Sequence, residues 1–355
     1  MAQPPEQPRT VTLTSVAAAA GVSRQTVSNV LNAPDRVRAA TREKVEAVIR
    51  ELGYRPNRLA RSLRTRASRM LGYCVQPRGD GNVVLDRFLH AVTESAAERG
   101  YHVLLFSAPP GDAGLPAYAD LLAQQTVDGF VLSDTFMGDP RQEWLAERDV
   151  PFAAFGRSWS EPEHGGWVDV DGAAGTRDAV DHLHEQGHRR IGFIGWRPGS
   201  GVGDDRRAGW ERACAAHGLG PQPSAAAENN EVRDGAAAAR RLLDLPEPPT
   251  ALVCVSDMIA IGCLGVLAER GLRPGRDVAV VGFDDLPAAA LPGIDLTTLS
   301  QPLGEIGREV VGLVLDQLGD RAPAPGRPPH RVLRPSLVVR ASSTPFPRSQ
   351  EARNP

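Results

Sequence analysis

Apolar positions near the start of the chain recur at helical spacing. Leu13, Val16, Ala17 and Ala20 fall at i, i+3, i+4 and i+7, with Thr12 in front as an N-cap. Gly21 supplies the positive φ that stops such a helix, and Val22 turns back to the apolar side. Ser23 then caps a second helix whose buried stripe is Val27, Val30 and Leu31. Arg24, Gln25, Ser28 and Asn29 are left on its outer face. A third helix over Ala39–Leu52 buries Val45, Val48, Ile49 and Leu52 and ends at Gly53. Tyr54-Arg55-Pro56-Asn57 breaks the chain. The stretch Arg58–Arg66 follows, with four arginines around Leu59 and Leu63, too short to be a stable helix alone and able to fold against a nucleic acid. Helix, sharp turn and polar-faced helix make either an ordinary αα-corner or a module that sets one helix in the major groove of DNA. There Arg bonds bidentately to guanine, and Gln or Asn to adenine.

From Met70 the pattern changes. Strand-like apolar runs occur at Met70–Val75, His102–Phe106, Gly129–Leu132, Phe152–Phe155, Ile191–Ile194, Ala251–Val255 and Val278–Val281. Amphipathic segments of helical length lie between most of them, among them Asp86–Arg99, Gly172–Glu185, Asp204–His217 and Asp257–Arg270. Continuous apolar strands alternating with helices predict an α/β fold of doubly wound parallel sheets. The runs form two sets, residues 70–158 and 168–295. The remainder, Leu296–Leu299, a helix Leu303–Leu318 and a strand Val332–Arg340, reads as crossover and completion. Two such lobes leave a cleft at the carboxyl ends of their strands, where ligands bind. The expected organisation is a tail (1–11), a helix-turn-helix domain (12–56), a hinge (57–69), a two-lobed body (70–342) and a second tail (343–355). The first lobe takes 70–158 plus 296–325, and the second 159–295 plus 326–342.

Charge sharpens this picture. Residues 1–69 carry thirteen Lys and Arg against five Asp and Glu, a net of +8, whereas the whole chain is −3 and residues 70–355 are −11. The polyanion-binding surface is therefore confined to the N-terminal part. Cys74, Cys214, Cys254 and Cys263 sit in apolar runs and read as small core residues of a reducing compartment. Met1–Arg9 has no signal-peptide core, and no run approaches the roughly eighteen apolar residues of a membrane span. These features predict a cytoplasmic protein with no membrane partner.

Some stretches look chemical. His184-Glu185-Gln186-Gly187-His188 matches the zinc-protease string H-E-x-x-H, but that chemistry needs both histidines on one unbroken helix, and Gly187 ends it. Two cations at a helix C-terminus explain the string better, so no metal is expected. Gly195–Gly203 follows a strand and precedes a helix, yet lacks the register of a dinucleotide or phosphate loop; it reads as the rim of a cleft. No serine, cysteine or carboxylate constellation for catalysis stands out, and neither enzyme activity nor a cofactor is expected. Asp284-Asp285 reads as one ligand-facing and one structural aspartate.

Certain strings recur in a fixed order. Residues 17–32 read A-x3-G-V-S-x2-T-V-S-x-V-L-N, and 52–63 read L-G-Y-R-P-N-x2-A-R-S-L. Later come Val170-Asp171-Gly172, His182-Leu183, Gly187-His188-Arg189-Arg190-Ile191, Arg206-x-x-Gly209-Trp210 and Ser256-Asp257-Met258-Ile259-Ala260. Val281-Gly282-Phe283-Asp284-Asp285, Leu296-Thr297-Thr298 and Arg334-Pro335-x-Leu337 complete the series. Over residues 12–342 the chain resembles the lactose/galactose repressor family of bacterial transcription regulators. The resemblance implies a homodimer that reads a palindromic operator in double-stranded DNA. Its DNA-facing set is Thr12, Ser23, Arg24, Gln25, Thr26, Ser28, Asn29, Asn32 and Tyr54, then Asn57, Ala60, Arg61, Leu63 and Arg64 from a hinge helix whose Leu63 wedges into the minor groove.

The resemblance also implies an effector, a sugar or derivative, between two periplasmic-binding-protein-like lobes. Arg206 and Asp284 clamp it. Asn230, Ser256 and Gln301 line the cleft, and Asp80, Ser133 and Arg157 complete the candidate set. Phe136, Trp159 and Trp210 are candidates for an apolar face. The implied function is a ligand-responsive repressor of carbohydrate-utilisation genes. The alternatives are a corepressor-dependent regulator responding to a nucleobase or other metabolite, and a sugar-binding transport protein. Three positions depart from the family: Asn29 stands where relatives carry Arg, Arg38 where they carry a Ser or Thr cap, and Asn230 where several sugar-binding relatives carry an aromatic. The tail from Ser342 has no apolar heptad, which predicts a dimer and not a tetramer.

Overall fold

The computed structural model describes residues 11–54, 67–75, 82–319 and 330–344. The chain divides into two compact units, Met1–Ser68 and Arg69–Pro355. The first holds α1 (Leu13–Ala20), α2 (Arg24–Asn32) and α3 (Ala39–Glu51). Thr12 and Ser15 form a reciprocal capping box on α1, and Gly21, at φ 62, ends that helix in the left-handed region. Ser23 accepts from the Thr26 N–H to cap α2, whereas Arg38 gives α3 no side-chain cap. Val16, Ala17, Ala20, Val27, Val30 and Val45 form the core, with Val48 and Ile49 against them. Leu52 differs from the pattern: it is an exposed large apolar residue. Gly53, at φ 62, turns the chain so that Tyr54 donates its N–H to the Ile49 carbonyl, and the Tyr54 ring joins the core instead.

The second unit is two parallel sheets of one topology. In chain order its elements are β1 (Met70–Val75), α4 (Val83–Glu98), β2 (His102–Ser107), α5 (Leu115–Ala123), β3 (Gly129–Leu132), α6 (Pro140–Ala146), β4 (Phe152–Phe155) and β5 (Gly166–Val170). Then follow α7 (Gly172–Glu185), β6 (Ile191–Trp196), α8 (Gly201–Ala216), β7 (Ser224–Ala227), α9 (Val232–Leu243), β8 (Ala251–Cys254), α10 (Asp257–Glu269) and β9 (Ala279–Phe283). The chain closes with β10 (Thr297–Ser300), α11 (Leu303–Leu318), β11 (His330–Leu333) and β12 (Ser336–Val338). The strand orders are β11-β5-β4-β3-β1-β2 and β12-β10-β9-β8-β6-β7, and only the short β12 runs antiparallel among the described strands. Each order reverses beside its first strand, which opens a crevice at the strands' carboxyl ends.

The pairing redraws the expected lobes. β5 and β11 belong to the first sheet and β10 to the second, so residues 166–170 and 330–333 complete the first lobe while 297–300 complete the second. The expected strand Val332–Arg340 is two strands in different lobes. Pro335, which has no N–H to give a ladder, lies at the break. The chain thus crosses between lobes at 170–172, 300–303 and 333–336. All four cysteines are buried and unbridged.

Candidate functional site

The outer face of α2 is polar, as its spacing predicts. Arg24 and Gln25 are exposed, and Thr26, Ser28 and Asn29 half-buried. Gln25 Nε2 donates to Asn29 Oδ1 at 2.9 Å. This tie across one helical turn leaves the Gln25 oxygen as an acceptor and the Asn29 amide nitrogen as a donor. Thr12 and Ser23 are exposed caps, Asn32 closes α2, and Tyr54 is only 8% exposed, in the core and not on the polar face. Asn57, Ala60, Arg61, Leu63 and Arg64 lie outside the described residues.

Between the two sheets of the second unit lies a cavity of about 480 Å³. Asn82, Asp134, Thr135, Phe136, Phe155, Trp159 and Asp169 line it from the first lobe. Trp196, Ser200, Asp205, Arg206, Glu228, Asn230, Asp284 and Gln301 line it from the second. Most of these residues lie at or just beyond strand ends or in the first turns of the following helices.

Arg206, in the second turn of α8, is 5% exposed. Its Nη1 donates to the Val255 carbonyl and lies 3.7 Å from Asp284 Oδ1. Its guanidinium sits over the Phe283 ring at 3.5 Å, and its Nε is buried without a partner in the described structure. Asp284 follows β9, and Gln301 Nε2 donates to its Oδ1 at 2.7 Å. Burial pushes the Asp284 carboxyl up to about 6 against the pull of Arg206 and the Gln301 hydrogen bond, and burial likewise draws Arg206 down. Opposite charges are thus held close but not in a closed bidentate pair. The arrangement keeps donor capacity for a bound molecule.

Of the expected effector set, Arg206, Asn230, Asp284 and Gln301 meet at the cavity, with Phe136 and Trp159. Ser256 stands behind: its hydroxyl donates to Asn230 Oδ1 and accepts the Ile259 N–H at the start of α10. Ser133 is also behind, bonded to the Tyr73 hydroxyl at 2.8 Å. Arg157 does not line the cavity either. It pairs with Asp169 at 2.6 Å and stacks over Trp159 at 4.7 Å. Asp80 lies outside the described residues. Trp210 is in the core, stacked on Phe193 and donating to the Ile191 carbonyl; at i+4 from Arg206 it falls on the side of α8 facing the sheet. Trp196, Asp134, Asp169 and Asp205 were missed. Trp196 ends a strand and Asp134 lies two residues past one, so the strand-end rule alone would have found them.

Other strings settle simply. α7 ends at Glu185, Gly187 is at φ 98, and His188 bonds Thr250 outside the helix. Among the described residues no group of three His, Cys, Asp or Glu is placed to hold a metal ion, and no helix is long and apolar enough to cross a membrane. Residues 199–202 form part of the cavity wall. Asp285 pairs with Arg340 at 2.8 Å, the structural member of its pair.

Residues 12–57 match the family described as bacterial regulatory proteins, lacI family, and residues 180–343 match the periplasmic binding protein-like domain. The HTH-type transcriptional regulator CelR of Thermobifida fusca is 36% identical over 345 residues, 95% of this chain and 99% of the relative. A structure of a transcriptional regulator CelR–cellobiose complex superposes with a TM-score of 0.70 at 33% identity, covering 94% of this chain and 99% of the other. The lac repressor dimer bound to operator and the anti-inducer ONPF gives 0.79 at 29% identity, covering 95% and 100%. A polar-faced second helix in a basic N-terminal unit, a cleft between two doubly wound lobes, and likeness along nearly the whole chain agree: the chain belongs to the lacI family of bacterial regulatory proteins.

Proposed function

We propose that the chain is a ligand-responsive repressor that acts in the cytoplasm as a homodimer on a palindromic operator, and that its effector is an uncharged, hydroxyl-rich molecule of the carbohydrate class. The observation that carries the reading is the lining of the cleft. Among the described residues it holds five carboxylates, Asp134, Asp169, Asp205, Glu228 and Asp284, and a single guanidinium, Arg206. Arg157 and Arg197, beside it, pair with Asp169 and Glu228. The local balance remains acidic, which opposes a phosphorylated or carboxylated ligand. Hydroxyls, which both donate and accept, suit carboxylates, a guanidinium and the amides of Asn230 and Gln301. Trp159, Trp196 and Phe136 supply flat apolar surface for the C–H faces of a sugar ring. The complex of the relative CelR with cellobiose supports the same class.

The test is thermal denaturation of the full-length protein with cellobiose, maltose, lactose, their 6-phosphates and a set of nucleosides. A ligand that binds the folded state alone raises the midpoint. A rise with a neutral sugar, lost in Arg206→Ala, is expected. A rise confined to the phosphorylated sugars or the nucleosides would contradict the reading.

A further inference from the structure

Arg87 lies on α4, in the first lobe, and reaches across to the second. Its Nη1 donates to the Asp285 carbonyl at 2.9 Å, with the Asp284 carbonyl at 3.5 Å. These carbonyls belong to two successive non-glycine residues at positive φ, 118 for Asp284 and 50 for Asp285. Such backbone persists only where its surroundings hold it. The second lobe supplies several of the holds. The Asp284 N–H donates to the Leu299 carbonyl, the Asp285 N–H donates to the Thr298 hydroxyl, and Arg340 pairs with the Asp285 carboxylate. Arg87 supplies a charged, donor-only grip from the other lobe. The same turn carries the Asp284 carboxylate that lines the cavity.

We propose that Arg87 is a positioning residue: it latches the Asp284–Asp285 turn to the first lobe, so that the lobes stay closed and the Asp284 carboxylate stays aimed into the cleft. Its importance for the effector rests on the function proposed above; the latch itself rests on the contacts. A closed arrangement held partly by Arg87 is the one an effector would favour, so losing the latch lowers apparent ligand affinity by the fraction of closed protein that remains.

Trp159 reports on closure without any ligand. It lies between β4 and β5, and its ring covers Gly201 of the second lobe so closely that a Cβ there would meet Cδ2 at 2.2 Å. Opening the lobes uncovers that ring. The experiment is acrylamide quenching of the ligand-free, full-length protein for wild type, Arg87→Ala and Arg87→Lys. Each is compared with the same protein carrying Trp159→Phe, so that the difference isolates Trp159. Arg87→Ala is expected to raise the Trp159 quenching constant about twofold or more, as a shifted open–closed equilibrium requires. Arg87→Lys, which keeps a charged donor, should stay near wild type. If Arg87→Ala loses its circular dichroism, Arg87→Gln is read in its place. Quenching unchanged by loss of the guanidinium overturns the latch. If the latch variant opens while no neutral sugar binds wild type, the latch stands and the effector reading falls. If sugars bind wild type and Arg87→Ala equally well and quenching is unmoved, the latch falls and the effector reading stands.

Discussion

Arg206 and Asp284 are each nearly sealed from solvent, at 5% and 6% exposure, and each is the other's near counter-charge. Removing one member of such a pair leaves a buried charge uncompensated, a loss on the order of 3 kcal/mol. Arg206→Ala should therefore destabilise the second unit in denaturant unfolding, and adding Asp284→Asn should restore part of the loss. If the double variant is less stable than the single one, the two residues are not coupled as described.

Asp257 makes a different prediction. It is fully buried, accepts from the Leu286 N–H and the Thr298 hydroxyl, and its carboxyl is pushed up to about 7, first by burial and then by the Asp284 charge. A raised carboxyl binds its proton more tightly folded than unfolded. Its favourable contribution is thus complete at pH below the unfolded value near 4 and is lost as pH rises through about 7. The unfolding free energy of Asp257→Asn relative to wild type should accordingly improve between about pH 4 and 7, by about 1.4 kcal/mol for each tenfold change in proton affinity. A constant difference across that range would contradict the assignment.

At the scale of elements, caps and close approaches decide what changes. Ser23→Ala removes the cap of α2 and should cost about 1 kcal/mol, whereas Arg38→Ser should gain a similar amount by giving α3 the cap it lacks. Both are read from the melting of the isolated N-terminal transition. Gly209 packs α8 on α7 so tightly that a Cβ would stand 2.2 Å from the Ala173 carbonyl. Gly209→Ala should cost about 1–3 kcal/mol by overpacking, seen as a lower midpoint of the second unit.

The same scale shows what periodicity can and cannot read. β1, β3, β4, α7 and α11 have the ends their apolar runs predict. β5 escaped because Asp169 interrupts a short run, β7 because Ser224-Ala225-Ala226-Ala227 has no β-branched residue, and the start of β11, ahead of the strand expected from Val332, because His330 and Arg331 form it. Each is short and lies at or near a sheet edge, where neighbours and not the strand's own composition set the conformation. The cleft was legible where a motif marked it, at Arg206 and Asp284. Asp169, within β5, and Asp205, within α8, depend on how the two lobes converge, which no local pattern carries.

For the whole molecule, the charge is sorted by unit, +7 in Met1–Ser68 and −10 in the rest. Operator affinity should fall steeply with salt, since each neutralised phosphate releases counterions. Arg24→Ala or Gln25→Ala should weaken binding by about 1–3 kcal/mol and relax one base position per half-site. A profile of selected sites that stays unchanged in both variants would remove α2 from base reading. If occupancy of the cleft controls the operator, the coupling is reciprocal. The most direct measurement is a fluorescence-anisotropy titration of a selected palindromic operator. It is run on wild type and Arg206→Ala, with and without the neutral sugar that raises the melting midpoint. The sugar is expected to shift wild-type operator affinity, the operator to shift sugar affinity by the same factor, and Arg206→Ala to lose both shifts. A sugar that binds while operator affinity stays unmoved would contradict control of the operator by the cleft.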